Sequence, residues 1–332
     1  MKGQRQPAAL VLVNLGTPEA CTPGAVRKFL REFLGDRRVV EIPRPVWWLI
    51  LNLFILPFRP KKVAEAYRLI WTERGSPLRY YTEDQVEKLQ ARFNQRYPES
   101  PPTVRHAMTY GGPSIETVLN ELYESGHRRI VVLPMYPQYS CSTTAPIYDQ
   151  IARYTGSHRA LPGLQIINSY FHESAYIRAL STSISTFWET NGRADKLLFS
   201  YHGVPEFHGE KGDPYVGHCQ CTTGATIDAL GLAEDQYMMS FQSRFGKAEW
   251  VKPYTDATVE KLARSGVKRL DVVCPAFAVD CLETIEEIGE QNREIFLEHG
   301  GEEFRLIPCL NASDIHIDAL ETIAAKYLDA VV

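Results

Sequence analysis

A histidine, His202, stands at the end of a short apolar run and is followed at once by Gly203. The run, 197–201, predicts a buried strand, so the histidine leaves the carboxyl end of that strand. Ligands of open parallel sheets bind beyond those ends. An imidazole in this place can accept a proton or ligate a metal near neutral pH. The alternative is a histidine that is hydrogen-bonded within a strand-end turn.

A second candidate is Glu283, which follows another apolar run, 270–274, and opens a helical pattern. Glu287 and Gln291 repeat it at intervals of four residues and therefore share its helix face, where such a row can pass protons or cations. Two simpler interpretations stay open. Asp280 and Glu283 have the spacing of a helix-capping box, and an acidic helix face is commonly just solvated.

A neutral histidine nitrogen and a carboxylate oxygen together make a reasonable open site for Fe(II), and the same pair can act as a base. Aromatic residues follow further strands, among them Tyr136, Trp250 and Phe277. Any one of them alone is best explained as a core residue. Several at strand exits suit a flat, apolar ligand better than a small polar one.

Alternating strands and helices must position these residues. Nine apolar runs predict strands, at 9–14, 38–42, 104–110, 130–136, 164–169, 197–201, 237–241, 270–274 and 304–307. Helical patterns lie between them at 113–124, 174–191, 256–265 and 280–299. This alternation indicates an α/β fold with parallel sheets, and the continuous apolar runs indicate strands buried on both faces.

The chain also repeats itself at a constant offset of 140 residues. The segment 119–144 matches 259–284 without a gap, and Gly126 and Gly266 stop the two corresponding helices. All βαβ units share part of this pattern, but the ungapped match favours a duplicated domain. We predict one domain over 1–160, a second over 161–304, and a C-terminal segment, 305–332, that returns to the first.

The composition excludes several classes of protein. The chain is 44% hydrophobic and 23% charged, as in soluble globular proteins, and its net charge of −4 offers no basic field to nucleic acid. The seven cysteines have no CxxC spacing and predict reduced thiols, as in the cytoplasm. The apolar run 8–13 enters a turn without a cleavage site, which predicts a first strand and no signal peptide. No segment has the length of a membrane helix.

One apolar segment, 46–58, is flanked by basic residues. From Arg27 to Arg68 there are ten basic and four acidic residues, a local charge of +6. Tryptophan, leucine and phenylalanine with basic flanks suit insertion into a membrane interface, so 46–58 predicts an exposed apolar lip on the inner face of a membrane. A buried core helix is the alternative.

Several motifs, taken together and in order, resemble the ferrochelatase family of the bacterial, protoporphyrin-using type. They cover nearly the whole chain: Asn14–Pro18, Gly75–Leu78, Tyr136–Thr144, Ser200–Pro205, Gly212–Tyr215, Gln242–Arg244 and Asp280–Thr284. The resemblance implies two similar Rossmann-like domains with a porphyrin cleft between them. It also implies insertion of Fe(II), the substrate metal, into protoporphyrin IX with release of two protons, the last step of haem biosynthesis.

The resemblance assigns roles to residues. His202 and Glu283 would be catalytic and handle the metal, with Glu287 behind them on a proton or metal path. Leu15, Tyr136, Trp250 and Phe277 are the expected porphyrin contacts. No organic cofactor is expected, partners for product hand-off are conceivable, and the 46–58 lip would meet the membrane and admit porphyrin.

The chain departs from the family pattern at three places. Cys281 stands where many members have a histidine, and Thr109 stands where an arginine is often found, which weakens a propionate contact there. Some relatives hold an iron–sulfur cluster on a cysteine of the Tyr-Ser-Cys stretch and three more near the C-terminus. Cys141 is present, but no cysteine follows Cys309, so we expect no cluster.

Three other functions remain alternatives. A cobalt or nickel chelatase for another tetrapyrrole would have less use for an apolar lip. A non-catalytic tetrapyrrole or haem carrier needs an axial ligand but no opposed acid, so the row from Glu283 to Glu287 favours the enzyme. A binding protein for small solutes fits the aromatic strand exits less well.

Overall fold

The computed structural model describes residues 7–244, 246 and 248–329, which belong to two compact units. The first unit extends to Ser169 and includes the chain again from Ala312. The second unit is Tyr170–Asn311. The corresponding predicted limits were 160 and 304.

The first unit is built on a parallel sheet in the order β2-β1-β3-β4. Its strands are β1 (Ala8–Asn14), β2 (Thr103–Met108), β3 (Arg129–Pro134) and β4 (Gly163–Ile166). Every residue of β1 is buried, as expected for a central strand covered by helices on both faces. Its apolar side chains pack with those of two helices that flank the sheet, α5 (Ile115–Glu124) and α6 (Thr144–Ser157).

The second unit repeats this topology with the parallel order β6-β5-β7-β8. Its strands are β5 (Lys196–His202), β6 (Tyr237–Gln242), β7 (Arg269–Val273) and β8 (Glu303–Leu306). The helix α10 (Thr255–Arg264) lies 140 residues after α5, and Gly126 and Gly266 close the two helices with φ of 95° and 96°. The sequence repeat is therefore a structural repeat, and the fold class is confirmed.

The remaining helices connect and cover the sheets. They are α1 (Pro23–Gly35), α2 (Arg44–Ile50), α3 (Leu56–Ile70), α4 (Pro77–Arg96), α7 (Ser174–Asn191), α8 (Glu206–Glu210), α9 (Tyr215–Leu230), α11 (Arg293–Glu298) and α12 (Asp314–Leu328), with a 3₁₀ turn at Glu234–Gln236. Two π-helical segments, Leu51–Ile55 and Glu283–Asn292, join α2 to α3 and precede α11. Among the described residues, no helix is both long and apolar enough to cross a membrane.

The strand predicted at 38–42 is wrong, because this segment forms turns between α1 and α2. The backbone N–H groups of Val39 and Val40 donate to the carbonyl of Asp36, and the N–H of Arg38 donates to the Asp36 carboxylate at 2.8 Å. These bonds use the donors that a strand would need for its neighbour. Pro43 then starts the next helix.

A buried ion pair ties β7 to β8 in the second unit. The Asp271 carboxylate is fully buried and accepts from Nε of Arg305 at 2.7 Å, from Nη2 of Arg305 at 3.0 Å and from the Trp188 indole at 2.7 Å. A carboxylate on a strand buried on both faces is tolerated only with such partners. The pair therefore holds α7 and the two strands together.

We expect Arg305→Met to destabilise the protein by about 3–5 kcal/mol, because it leaves Asp271 buried without its cationic partner. Arg264→Met is the matched control, since Arg264 pairs with Glu260 on an exposed helix face and should contribute less than about 0.5 kcal/mol. Urea unfolding followed by circular dichroism measures both. Equal effects of the two substitutions would show that the buried pair does not stabilise the unit.

Candidate active site

His202 lies at the carboxyl end of β5, opposite Gln242 in the parallel register with β6. The two strands stay close beyond their ends, where the N–H of Gly203 donates to the carbonyl of Gln242 at 2.8 Å. A Cβ on residue 203 would lie 2.8 Å from that carbonyl oxygen and 3.1 Å from the Trp250 ring. Only glycine permits this approach, which fixes His202 at the sheet edge.

The hydrogen bond of His202 identifies its free nitrogen. Nδ1 lies 2.7 Å from the carbonyl oxygen of Gly203. Since a carbonyl only accepts, the neutral imidazole donates from Nδ1 and keeps its lone pair on Nε2. The strand-end hydrogen bond that was the simpler interpretation is thus present, but it leaves one nitrogen able to bind a proton or a metal.

Two aromatic rings flank this imidazole. The ring centroids of Trp250 and Phe277 lie 6.5 Å and 6.4 Å from that of His202, with interplanar angles of 48° and 49°. A backbone bridge between Pro205 and Trp250 holds the indole in place. The predicted contacts Trp250 and Phe277 therefore adjoin His202, and they provide apolar surface beside a basic nitrogen.

Glu287 is held from the carboxyl end of β6, the strand next to that of His202. Its carboxylate accepts from the Ser243 N–H at 2.7 Å and from the Ser243 hydroxyl, and the Gln242 amide lies 3.4 Å away. Burial raises the pKa of Glu287, and the negative charge of Glu283 acts in the same direction. The Ser243 hydrogen bonds and the charge of His202 oppose this rise. Glu287 therefore lies within electrostatic reach of both His202 and Glu283.

The capping box proposed for Glu283 is absent. The N–H of Asp280, which the Glu283 side chain would have to accept, donates instead to Asn311 at 2.8 Å. The Asp280 carboxylate accepts from the Thr284 hydroxyl at 3.0 Å and from the Asn311 amide at 2.6 Å. Asp280 thus ties the start of the helix to the segment after β8, and the Glu283 carboxylate is not used as a cap.

The helix that carries the acids also differs from the expected α-helix over 280–299. It is π-helical over Glu283–Asn292, and its i,i+5 spacing brings the amide of Gln291 onto Glu286 at 2.8 Å. Gln291 therefore does not continue the row of Glu283 and Glu287. The π-helix is rare and often marks functional sites. No residue pattern distinguishes it from an α-helix here.

Cys281 adjoins Glu283. The thiol is buried, and its pKa is raised by burial and further by the charge of Glu283. The thiol therefore stays neutral beside the carboxylate. None of the seven cysteines, all of which the structure describes, forms a disulfide bond.

The other two predicted contacts belong to the first unit. Leu15 directly follows β1, and Tyr136 follows β3, the neighbouring strand. Both are partly buried at the carboxyl edge of that sheet. The predicted residues His202, Glu283, Glu287, Trp250 and Phe277 all lie in the second unit.

Sequence reasoning missed the residues that hold the acidic helix in place. Gln242 and Ser243 were recognised as part of a motif but given no role, although they end the strand next to that of His202. The signal was available in that position, because polar residues at the end of a buried strand need partners.

The predicted lip is exposed over most of its length and buried at a few residues. Trp47 is buried and donates its indole N–H to the carbonyl of Leu34 at 2.6 Å. The neighbouring Trp48 is 62% exposed, as are Phe54 at 65% and Phe58 at 72%. The segment is thus helical, packs its few buried residues on α1 and presents an apolar face outward.

The fold identifies the architecture of the chelatases. The chain resembles SirB from Bacillus subtilis with Fe3+ at a TM-score of 0.60 and 10% identity, over 98% of this chain and 97% of that one. It resembles CbiX, the terminal enzyme for biosynthesis of siroheme in denitrifying bacteria, at 0.51 and 12%, over 96% and 99%. These likenesses concern the two-domain Rossmann-like fold alone.

The sequence identifies the family. The family model for ferrochelatase matches residues 7–328. The chain is 49% identical to the ferrochelatase of Idiomarina loihiensis over 98% of this chain and 89% of that one, and 45% identical to that of Acinetobacter baumannii over 99% and 97%. The chain therefore belongs to the ferrochelatase family, the metal chelatases of the lyase class that insert iron into porphyrin in haem synthesis.

We expect Glu287→Gln to stabilise the protein at neutral and alkaline pH. Because burial raises the pKa of Glu287, the folded chain binds this proton more tightly than the unfolded chain. The protonated Glu287 carboxyl therefore stabilises the native protein below the ordinary glutamate pKa of 4.5, and this contribution is lost as the pH rises through the raised pKa. The glutamine variant does not ionise and avoids that loss.

Thermal unfolding at about pH 4 and about pH 8 tests this prediction. The melting temperature of Glu287→Gln should exceed that of the native protein at pH 8, and the difference should shrink at pH 4. The exposed Glu290→Gln is the control and should show no such pH dependence. A Glu287→Gln variant that loses stability at pH 8 would contradict the assigned desolvation cost.

Proposed function

We propose that His202 and Glu283 carry out iron insertion in this protein, with Glu287 completing a proton or metal path. The observation that carries the proposal is a histidine whose Nδ1 is hydrogen-bonded, so that Nε2 keeps its lone pair, with two aromatic rings beside it. Gln242, its neighbour across the strands, bonds the backbone of Glu283 and lies next to the Glu287 carboxylate. A tetrapyrrole carrier needs an axial ligand such as His202 but has no need of Glu283 and Glu287.

The chemistry follows from what metallation requires. A free-base porphyrin must lose two pyrrole N–H protons as the metal enters, and a twisted macrocycle presents its lone pairs better than a planar one. Binding contacts to the rest of the ring can hold that distortion. In this proposal Nε2 of His202 accepts a proton or briefly ligates the iron. Glu283 and Glu287 form the path along which protons or the metal move.

The raised pKa of Glu287 suits this role. A carboxylate that is desolvated holds a proton nearer to neutral pH than an exposed one, and so can exchange it with a neighbour. The Cys281 thiol stays neutral beside Glu283, because burial and the charge of Glu283 raise its pKa. It stands where a histidine is common in the family.

The metal substrate is proposed to be Fe(II) and the porphyrin to be protoporphyrin IX. The exposed apolar face of the lip favours the less carboxylated, more apolar porphyrin. Leu15, Tyr136, Trp250 and Phe277 are proposed as porphyrin contacts. That no organic cofactor and no iron–sulfur cluster takes part stays a prediction.

We expect His202→Ala to fold and to bind porphyrin but to metallate it at least about 100-fold more slowly, because a positioned acid–base group typically contributes about 10²–10⁴-fold. Glu283→Gln should show a comparable loss. The assay is anaerobic, with protoporphyrin IX, Fe(II) and detergent, and follows the loss of porphyrin fluorescence.

His299→Ala is the matched control, since His299 caps α11 far along the chain from these groups. It should retain native turnover. Native turnover in His202→Ala would remove His202 from the mechanism. Tight porphyrin binding without metallation by the native protein would favour the carrier, and a preference for another tetrapyrrole and metal would favour a cobalt or nickel chelatase.

We also propose that the lip lies against the inner face of the membrane, with the protein otherwise in the cytoplasm. Trp48, Phe54 and Phe58 supply exposed apolar area, and the +6 charge of 27–68 would be attracted to anionic lipids. Cysteines without disulfide bonds fit a reducing compartment. A membrane location would also allow hand-off of the apolar product to partner proteins.

We expect the double substitution Phe54→Glu and Phe58→Glu to weaken binding to anionic vesicles by about 100-fold or more, since each buried phenylalanine contributes about 1.5–3 kcal/mol. Co-sedimentation at two salt concentrations measures this. Leu161→Glu, an exposed apolar residue outside the lip, is the control and should bind like the native protein. Equal binding by all three proteins would contradict a membrane role for the lip.

A further inference from the structure

The buried side chain of Gln242 joins three parts of the second unit. Its carbonyl oxygen accepts from the Ser200 hydroxyl on β5 at 2.7 Å and from the Cys274 thiol after β7 at 3.8 Å. Its amide nitrogen donates to the backbone oxygen of Glu283 at 2.8 Å and lies 3.4 Å from a carboxylate oxygen of Glu287. Both ends of one amide are therefore used.

The partners allow one orientation of this amide. The oxygen faces a hydroxyl and a thiol, whereas the nitrogen faces a carbonyl and a carboxylate. A reversed amide would set its oxygen against the backbone carbonyl of Glu283, which cannot donate, and against the Glu287 carboxylate. The Ser200 hydroxyl is fixed in turn by Thr255 at 3.0 Å, and both are buried. A buried amide with all its groups satisfied is rigid.

Gln242 also connects the acids to the histidine. It pairs with His202 in the β5–β6 register, and its backbone oxygen accepts from Gly203. Its side chain reaches the carbonyl of Glu283, the first residue of the π-helix. Through its backbone and its side chain, Gln242 thus fixes the position of His202 relative to that of Glu283.

We infer that Gln242 is a positioning residue for metallation, which fixes the first π-helical turn and the two acids relative to His202. It is buried, so it acts through these groups and does not touch the substrate. This role rests on the proposed function, because it matters only if Glu283 and His202 perform the chemistry.

The test is Gln242→Glu, which keeps the shape and replaces the donating nitrogen by an oxygen that repels Glu283 and Glu287. We expect kcat for iron insertion to fall about 10–100-fold, as for other residues that orient site groups. The Kd for protoporphyrin IX, measured by fluorescence, should stay within about twofold. Counting active sites by porphyrin binding separates this result from a loss of folded protein.

Ser200→Ala gives a second, milder perturbation, since it removes the bond to the amide oxygen and should lower kcat about threefold or more. Ser181→Ala is the matched control, a hydroxyl removed from α7 of the same unit, and should leave kcat unchanged. If Gln242→Glu does not fold, equal kcat values for Ser200→Ala and Ser181→Ala overturn the inference.

Glu283→Gln, assayed in parallel, separates the two proposals. If it loses turnover while Gln242→Glu and Ser200→Ala keep native kcat, the role of Gln242 is wrong and the proposed function stands. If Glu283→Gln itself keeps native turnover, both are overturned. A fall in kcat at unchanged porphyrin affinity in both Gln242→Glu and Glu283→Gln supports the inference.

Discussion

The close approach of β5 and β6 beyond their carboxyl ends is the constraint on which the site depends. The N–H of Gly203 reaches the carbonyl of Gln242, and no side chain fits at position 203. This contact turns the chain directly after His202, sets the Trp250 ring beside the imidazole, and leaves the Gln242 side chain directed at the acidic helix. A wider strand end would separate all of these groups.

The two copies of the repeated unit carry different residues at equivalent positions near the carboxyl ends of their strands. Lys196 pairs with Leu270 as Ala9 pairs with Ile130, so the 140-residue repeat places Leu15 where the second unit has His202. By the same offset, Thr143 and Ile147 occupy the places of Glu283 and Glu287. Ile147 is fully buried in the apolar core of the first unit. One copy of the unit thus carries the ionisable groups, and the other has uncharged residues at the equivalent positions.

Much of this could be predicted from the sequence, because it rests on hydrophobic pattern. Eight of the predicted strands match β1 to β8, and His202 follows its strand as expected. The strand predicted at 38–42 fails because the pattern does not record that Asp36 takes up the backbone donors. The π-helix fails for a related reason: an apolar repeat of three or four residues fits both helices, and the choice depends on tertiary bonds. That Trp47 is buried and Trp48 is exposed likewise depends on a hydrogen-bond partner, Leu34, that is distant in sequence.

The departures from regular structure coincide with the places where function is proposed. Both π-helical segments do so: Leu51–Ile55 lies in the lip, and Glu283–Asn292 carries the acids. Ser243 adds a left-handed backbone conformation at φ 65°, which typically costs about 1–3 kcal/mol for a residue other than glycine. In return, its N–H and hydroxyl both face Glu287, which burial would otherwise leave poorly solvated. Local strain at Ser243 therefore stabilises a charge whose raised pKa is itself unfavourable for folding. The backbone strain at Ser243 and the desolvation of Glu287 both lower the stability of the fold. Such costs are tolerated where function depends on the positions of the groups more than on stability.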